Sequence, residues 1–120
     1  MKEELQDLID LLHERKCSCV LRNGEIYTFE RRGVEDLYDL LREQPGLLLG
    51  ADVADKVVGK GAAALMVLGR VRRVYADVLS EPAYGLLFQT GISVSYGRLV
   101  SAIRNRAGKR LVPGGNALPR

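Results

Sequence analysis

The sequence predicts an α/β domain in which a mixed β-sheet is covered by helices on both faces. Residues 71–96 have the pattern of a strand, a helix and a second strand, and such units produce parallel strands. Asn23-Gly24, between two short apolar runs, is typical of a two-residue hairpin turn and adds an antiparallel pair. A length of 120 residues is enough for one compact domain with an ordinary core.

The first part of the chain predicts a helix, the hairpin and a second helix. The first helix is indicated by apolar residues at helical spacing, which are Leu5, Leu8, Ile9 and Leu12. Residues 17–21 and 25–30 predict the two strands of the hairpin. The second helix is predicted from Val34 to the residues before Pro45, which stops it.

The longest apolar stretch extends from Asp55 to Val71 and predicts a buried helix. It follows a short apolar run at residues 47–51, for which the periodicity allows either a strand or a buried loop. Apart from Arg70 at its end, polar side chains occur only in the first turns of the predicted helix, as Asp55, Lys56 and Lys60. Because free N–H groups and the helix dipole attract anions, we expect an anion-binding site at this N-terminus.

The second half of the chain predicts a strand, a helix and a strand. Residues 71–80 alternate in polarity, as a strand does. Residues 80–82, Ser-Glu-Pro, predict the start of a helix, with a capping side chain, an acid in the first turn and a proline whose missing N–H is not needed. Residues 92–96 predict a further strand, and the apolar pattern continues to Ile103 as a strand extension or a short helix.

The two cysteines, Cys17 and Cys19, are two residues apart in a predicted strand and are therefore expected on the same side of it. The chain has one histidine and no further cysteine to complete a metal site. We expect both thiols to be small buried apolar groups in a reducing compartment.

The charges are distributed unevenly along the chain. All fifteen acids lie within residues 1–81. Six bases and no acid follow, namely Arg98, Arg104, Arg106, Lys109, Arg110 and Arg120. A basic end can contact phosphates, although no interleaved aromatic residues accompany these charges. We expect residues 1–108 to form a single domain and residues 109–120 to form an irregular tail.

A cytoplasmic location is expected, with no membrane as a partner. No apolar run approaches the roughly 20 residues of a membrane span, and residues 1–16 contain five acids and no apolar core of a signal peptide. Two enzyme classes are also excluded. A phosphate-binding loop would need other residues than Ala54 and Gly61, and the single histidine leaves little material for a serine or cysteine triad.

Residues 74–97 resemble the second half of a zinc-dependent nucleoside or nucleobase deaminase, and residues 59–65 resemble the head of the helix that carries the H-x-E motif in those enzymes. The resemblance implies a three-layer αβα, cytidine-deaminase-like fold. In deaminases, His and Cys residues hold the zinc and a glutamate moves the proton. The corresponding positions here are Gly59, Ala83, Leu86 and, for the glutamate, Gly61. The resemblance therefore implies no zinc, no other cofactor and no zinc-dependent deamination.

Three further stretches resemble an uncharacterised prokaryotic family of this fold, known as a domain of unknown function. These are residues 55–60 (Asp-Lys-Val-Val-Gly-Lys), 80–82 (Ser-Glu-Pro) and 103–106 (Ile-Arg-Asn-Arg), and the resemblance spans approximately residues 5–108. Members of that family end in a Cys-Pro-x-Glu element, where this chain has Val-Pro-Gly-Gly at residues 112–115. A function that depends on that cysteine is therefore not expected here.

In the related fold, two helix N-termini meet at the active-site pocket, which would place Lys60 where zinc would lie. We therefore expect a catalytically altered domain that binds an anionic or nucleotide-like ligand. The expected ligand-binding residues are Asp55, Lys56, Gly59, Lys60, Ser80, Glu81, Asn105 and Arg106.

Several alternatives remain open at this stage. One is a metal-independent enzyme that uses Lys60 with Asp55 or Glu81, and another is an RNA-associated protein that uses the basic C-terminal end. Self-association through sheet edges or helices also stays open. A purely structural interpretation is that Lys56 and Lys60 lie one helical turn apart and are either solvated or paired with Asp52 or Asp55.

Overall fold

The computed structural model describes residues 5–31 and 34–103. Within these residues the chain forms five helices and five strands. The helices are α1 (Gln6–Glu14), α2 (Glu35–Glu43), α3 (Pro45–Leu48), α4 (Lys60–Gly69) and α5 (Glu81–Gln89). The strands are β1 (Cys19–Asn23), β2 (Glu25–Phe29), β3 (Asp52–Val58), β4 (Arg73–Ser80) and β5 (Ser93–Val100).

The five strands form one mixed sheet in the order β2-β1-β3-β4-β5. Strand β1 is antiparallel to both β2 and β3, whereas β3, β4 and β5 are parallel to one another. Each parallel step is made through a helix, because α4 connects β3 to β4 and α5 connects β4 to β5. The predicted combination of an antiparallel hairpin with parallel strand–helix–strand units is confirmed.

Helices cover both faces of the sheet. On one face, α1 packs on β1 and β3 through a small buried cluster formed by Leu8, Leu12, Cys17, Val20 and Ala54. The other face carries the larger cluster, to which the last four helices contribute Leu37, Leu48, Met66 and Leu87. The chain therefore has the three-layer αβα architecture that the sequence predicts.

The predicted helix from Asp55 to Val71 is wrong in its first third. Residues Asp52–Val58 form strand β3, Gly59 has an extended conformation (φ −99°, ψ −176°), and α4 begins only at Lys60. A strand covered by helices on both faces has no clean alternation of polarity, so its sequence is easily taken for part of a buried helix. The β-branched pair Val57-Val58 was the signal that favoured a strand.

Two further sequence predictions need correction. The run at residues 47–51 is neither a strand nor wholly a loop, because Pro45 starts the short helix α3 and Leu48 is fully buried at its end. Cys17 and Cys19 do not share a side: Cys17 precedes β1 and packs against α1, whereas Cys19 belongs to the cluster on the opposite face. Both cysteines are buried and free, as expected.

The remaining elements agree with their predictions. Helix α1 ends at Glu14, and Gly24, with φ of 80°, forms the tight turn between β1 and β2. The apolar pattern after residue 96 is a strand extension, since β5 continues to Val100. Within residues 5–31 and 34–103, no helix has the length and apolar character that crossing a membrane requires.

Candidate functional site

The N-termini of α4 and α5 lie side by side, where the neighbouring strands β3 and β4 end. Strands β3 and β4 are adjacent and parallel, and Val58 at the end of β3 is in register with Leu79 near the end of β4. Each strand is followed at once by a helix, which begins at Lys60 after β3 and at Glu81 after β4, and the two helices contact each other. The convergence of two helix dipoles is therefore built into the parallel pairing.

The N-terminus of α4 is the more electropositive of the two. Its N-cap residue, Gly59, offers no side-chain acceptor, and the first helical bond runs from the Ala63 N–H to the Gly59 carbonyl at 3.0 Å. The N–H groups of residues 60–62 consequently find no acceptor among the described residues. Lys60, in this turn, is exposed and forms no ion pair with any residue in the described ranges.

The N-terminus of α5 is closed by its own side chains. The hydroxyl oxygen of Ser80 is buried and accepts a hydrogen bond from the Ala83 N–H at 3.2 Å. Glu81 follows as an exposed acid in the first turn, where it complements the helix dipole. The start of α5 at Ser-Glu-Pro is confirmed, and an anion would be attracted to the head of α4 in preference to that of α5.

Asp55 is a buried carboxyl on β3, directly opposite Cys19 of β1 in the antiparallel register. Burial raises the pKa of Asp55 to about 7, and the nearby charge of Asp36 raises it further. The Val57 N–H donates a hydrogen bond to this carboxyl at 3.4 Å and opposes the shift, as do the nearby Lys56 N–H and Cys19 thiol. The carboxyl can therefore exchange a proton near neutral pH.

The Cys19 thiol is buried on β1, at the position paired with Asp55. Burial raises the pKa of Cys19 well above its ordinary value, and the charges of Asp55 and Asp36 add to the effect. Since the thiolate and not the thiol is the nucleophile, this cysteine is poorly suited to covalent catalysis.

Two apolar side chains that sequence reasoning missed lie against the head of α4. A Cβ atom placed on Gly59 would be 3.4 Å from the Cβ of Ile103, and one placed on Gly61 would be 3.8 Å from a methyl group of Val34. Val34 is the N-cap residue of α2, so the start of α2 also approaches the site, in addition to the starts of α4 and α5. No local pattern could reveal these contacts, because both residues are far from α4 in the sequence.

Other predicted site residues fall in different places. Lys56 is half-buried on β3, so it does not lie one helical turn from Lys60, and the pairing proposed on that basis is wrong. Asp52 is paired with three arginines, Arg22, Arg72 and Arg73. Asn105, Arg106 and most of the basic C-terminal end lie outside the described residues.

The positions that the deaminase resemblance assigns to zinc chemistry carry no donor atoms in their side chains, since they are Gly59, Ala83, Leu86 and Gly61. Elsewhere in the described parts of the chain, no three His, Cys, Asp or Glu side chains come together as metal ligands.

The family model described as TM1506, domain of unknown function (DUF1893), matches residues 7–117. The chain belongs to the DUF1893 family. A crystal structure of a DUF1893 protein from Thermotoga maritima is similar, with a TM-score of 0.80 and 25% identity over 94% of this chain and 78% of that one. No curated protein matches the chain.

A more distant similarity connects this DUF1893 chain to RibD of Acinetobacter baumannii. The TM-score is 0.51 and the identity 16%, over 78% of this chain and 34% of the RibD chain. A likeness at this level of identity shows the fold alone. This similarity agrees with the deaminase-like αβα fold that the sequence predicts.

Proposed function

We propose that this DUF1893 chain binds an anionic, nucleotide-like ligand at the head of α4 and does not carry out zinc-dependent deamination. One observation carries the proposal: the uncapped, lysine-bearing N-terminus of α4 lies beside the capped N-terminus of α5. Phosphate groups are the anions that such an arrangement suits, because helix N–H groups and an ammonium group can both donate to phosphate oxygens.

The position of Lys60 supports a ligand over a structural role. A cation in the first turn of a helix opposes the helix dipole, at a cost of about 0.3–1 kcal/mol. Among the described residues no acid pairs with Lys60 to offset this cost. A bound anion would remove the unfavourable interaction and would also satisfy the N–H groups of residues 60–62.

Isothermal titration calorimetry at low ionic strength tests the proposal with inorganic phosphate, AMP and adenosine as probes. We expect wild type to bind phosphate and AMP, and we expect Lys60→Ala to weaken both by at least about tenfold, or about 1.4 kcal/mol. The matched control is Arg70→Ala, which removes an exposed cation from the opposite end of the same helix. This control should bind as wild type does.

Thermal unfolding without a ligand excludes misfolding as the cause. Lys60→Ala should be at least as stable as wild type, because it removes a charge that opposes the helix dipole. Failure of wild type to bind any probe would refute the proposal. Equal binding by wild type and Lys60→Ala would show that the ligand binds at another surface and not at the head of α4.

A second candidate, a metal-independent enzyme, is favoured by the near-neutral pKa of Asp55. In that case a ligand found by calorimetry would be converted on incubation with wild type, as followed by NMR. Asp55→Asn would bind the ligand without converting it. Recovery of the unchanged ligand from wild type would leave binding as the function.

A further inference from the structure

Strand β5 ends the sheet, and its outer edge has no partner strand among the described residues. Six of its eight residues are exposed, and only Val94 and Val100 are half-buried. An unpaired edge presents a row of free N–H and C=O groups to any strand that approaches it. Within the described part of the chain, this edge is therefore open to pairing with another chain.

The opposite edge of the sheet is protected, whereas β5 is not. Strand β2 has five residues, begins at Glu25 and is followed by Glu30. Short length and charged side chains are the usual means of preventing edge-to-edge association. Strand β5 has eight residues, with no acid, no proline and Arg98 as its one charged residue. Arg98 has no ion pair within the described ranges.

Aromatic side chains extend the apolar surface beside this edge. The ring of Tyr96 on β5 contacts Tyr84 of α5 edge to face, with the centroids 6.0 Å apart. Tyr84 in turn stacks on Phe88, whose ring is 5.8 Å away. Tyr96 is 41% exposed and Phe88 66% exposed. Exposed aromatic residues of this kind are enriched where proteins associate.

We propose that two copies of the chain pair through β5, antiparallel, about a two-fold axis at Gly97. Residues directly opposite each other in an antiparallel pair lie on the same face of the sheet. This register places Tyr96 opposite Arg98 of the partner subunit and Val94 opposite Val100 of the partner subunit. Each arginine then lies against a tyrosine ring, an arrangement that guanidinium groups favour.

The order of side chains on β5 is what selects a second copy as the partner. A ring at position 96 and a cation at position 98 are symmetric about Gly97, so each strand supplies what the other requires. An axis at Arg98 would place two like charges directly opposite each other, which is destabilising. Two-fold pairing through one self-complementary patch is also the commonest symmetry of soluble oligomers.

Sedimentation velocity of the full chain measures dimerisation. The test compares wild type with two variants that carry opposite charges at position 96. Wild type should be a dimer at micromolar concentrations. Tyr96→Lys places an ammonium group opposite Arg98 of the partner subunit, twice per dimer, and should weaken dimerisation on the order of 100-fold. Tyr96→Glu provides an acid for the same arginine and should leave the protein dimeric.

The matched control is Thr28→Lys, which adds the same charge at an exposed position on the opposite edge strand, across from the apolar Val20. It should leave the dimer intact, and circular dichroism should show that all three variants are folded. A monomeric wild type, as would result if another segment of the chain covered the β5 edge, would overturn the proposal. Equal effects of Tyr96→Lys and Tyr96→Glu, in either direction, would also overturn it.

Discussion

Asp55 is the residue at which burial and ionisation conflict most clearly. Its carboxyl is 7% exposed and lies across from the Cys19 thiol, with the charge of Asp36 nearby. Burial has the largest effect on this carboxyl and raises its pKa to about 7. The thiol and two backbone N–H groups only moderate this effect. A group in this condition makes the stability of the fold depend on pH.

The first prediction concerns that dependence. Between about pH 4 and pH 7 the unfolded chain loses the Asp55 proton while the folded chain keeps it, so the free energy of unfolding should fall as pH rises. The difference between 3.8 and about 7 corresponds to a total loss on the order of 4 kcal/mol, of which about 2.5 kcal/mol falls between pH 5 and pH 8. Asp55→Asn cannot ionise and should lack this loss, as urea denaturation near pH 5 and near pH 8 would show.

Asp10→Asn is the control for this experiment, because Asp10 is an exposed carboxyl on α1. It should retain the decrease in stability that wild type shows across the same pH range. If Asp55→Asn lost stability with pH as steeply as wild type does, Asp55 would not be the group responsible.

At the scale of the element, α4 and α5 show how tightly helices pack on the larger face of the sheet. Gly69, the last residue of α4, lies against Leu48 at the end of α3. A Cβ atom at position 69 would come within 2.8 Å of the Leu48 Cβ, and both residues are buried. By contrast, a Cβ atom at Gly85 in the middle of α5 would have no neighbour within 4 Å.

The second prediction therefore gives opposite signs to the same substitution in two helices. Gly69→Ala should destabilise the fold by about 1–3 kcal/mol, because a buried contact must move to admit the methyl group. Gly85→Ala should stabilise it by about 0.5–1 kcal/mol, because alanine restricts the unfolded chain and favours a helix. Urea denaturation at one pH measures the free energy of unfolding of both variants and of wild type. A stabilising Gly69→Ala would mean that α3 can shift away from α4 at little cost.

At the scale of the whole molecule, Asp52 joins the sheet to helix α1. Its carboxylate is 2% exposed and lies 2.8 Å from Arg73, 3.0 Å from Arg72 and 3.2 Å from Arg22. Arg22 also pairs with Asp7 of α1 at 3.0 Å. Burial opposes ionisation of Asp52, but the hydrogen bonds from these arginines outweigh it and hold the pKa below its ordinary value. The carboxylate of Asp52 thus links β3 to β1 and β4 through ion pairs.

The third prediction follows from this arrangement. Asp52→Asn should lower the free energy of unfolding by about 3 kcal/mol at neutral pH, because it leaves three clustered arginines without their shared acid. The contribution of Asp52 is fully present above the pKa of the unfolded carboxyl, about 4, and is lost as the pH falls through the lower pKa of the folded state. The difference between wild type and variant should therefore narrow in acid.

Asp39→Asn is the matched control, since Asp39 pairs with Arg31 and Arg42 at the surface and is 41% exposed. Surface pairs of this kind contribute less than about 1 kcal/mol. Urea denaturation of both variants measures how much each substitution lowers the free energy of unfolding. Equal losses from Asp52→Asn and Asp39→Asn would show that burial does not strengthen the ion pairs of Asp52.

The sequence alone determined the features that depend on neighbouring residues. Helix α1 follows from its apolar spacing, the hairpin turn from Asn23-Gly24, and the start of α5 from Ser-Glu-Pro at residues 80–82. Each of these is a local property of a few consecutive residues. Their order was enough to predict a mixed sheet with helices on both faces.

Tertiary structure decided what depends on distant partners. Residues 52–58 are a strand because β1 and β4 flank them on either side, and their own apolar pattern suits a buried helix as well. Asp55 meets Cys19, and Ile103 meets Gly59, only through strand pairing and chain return. Local propensity is a weak preference beside such packing, so neither the start of α4 at Lys60 nor the residues around it could be read from the local pattern.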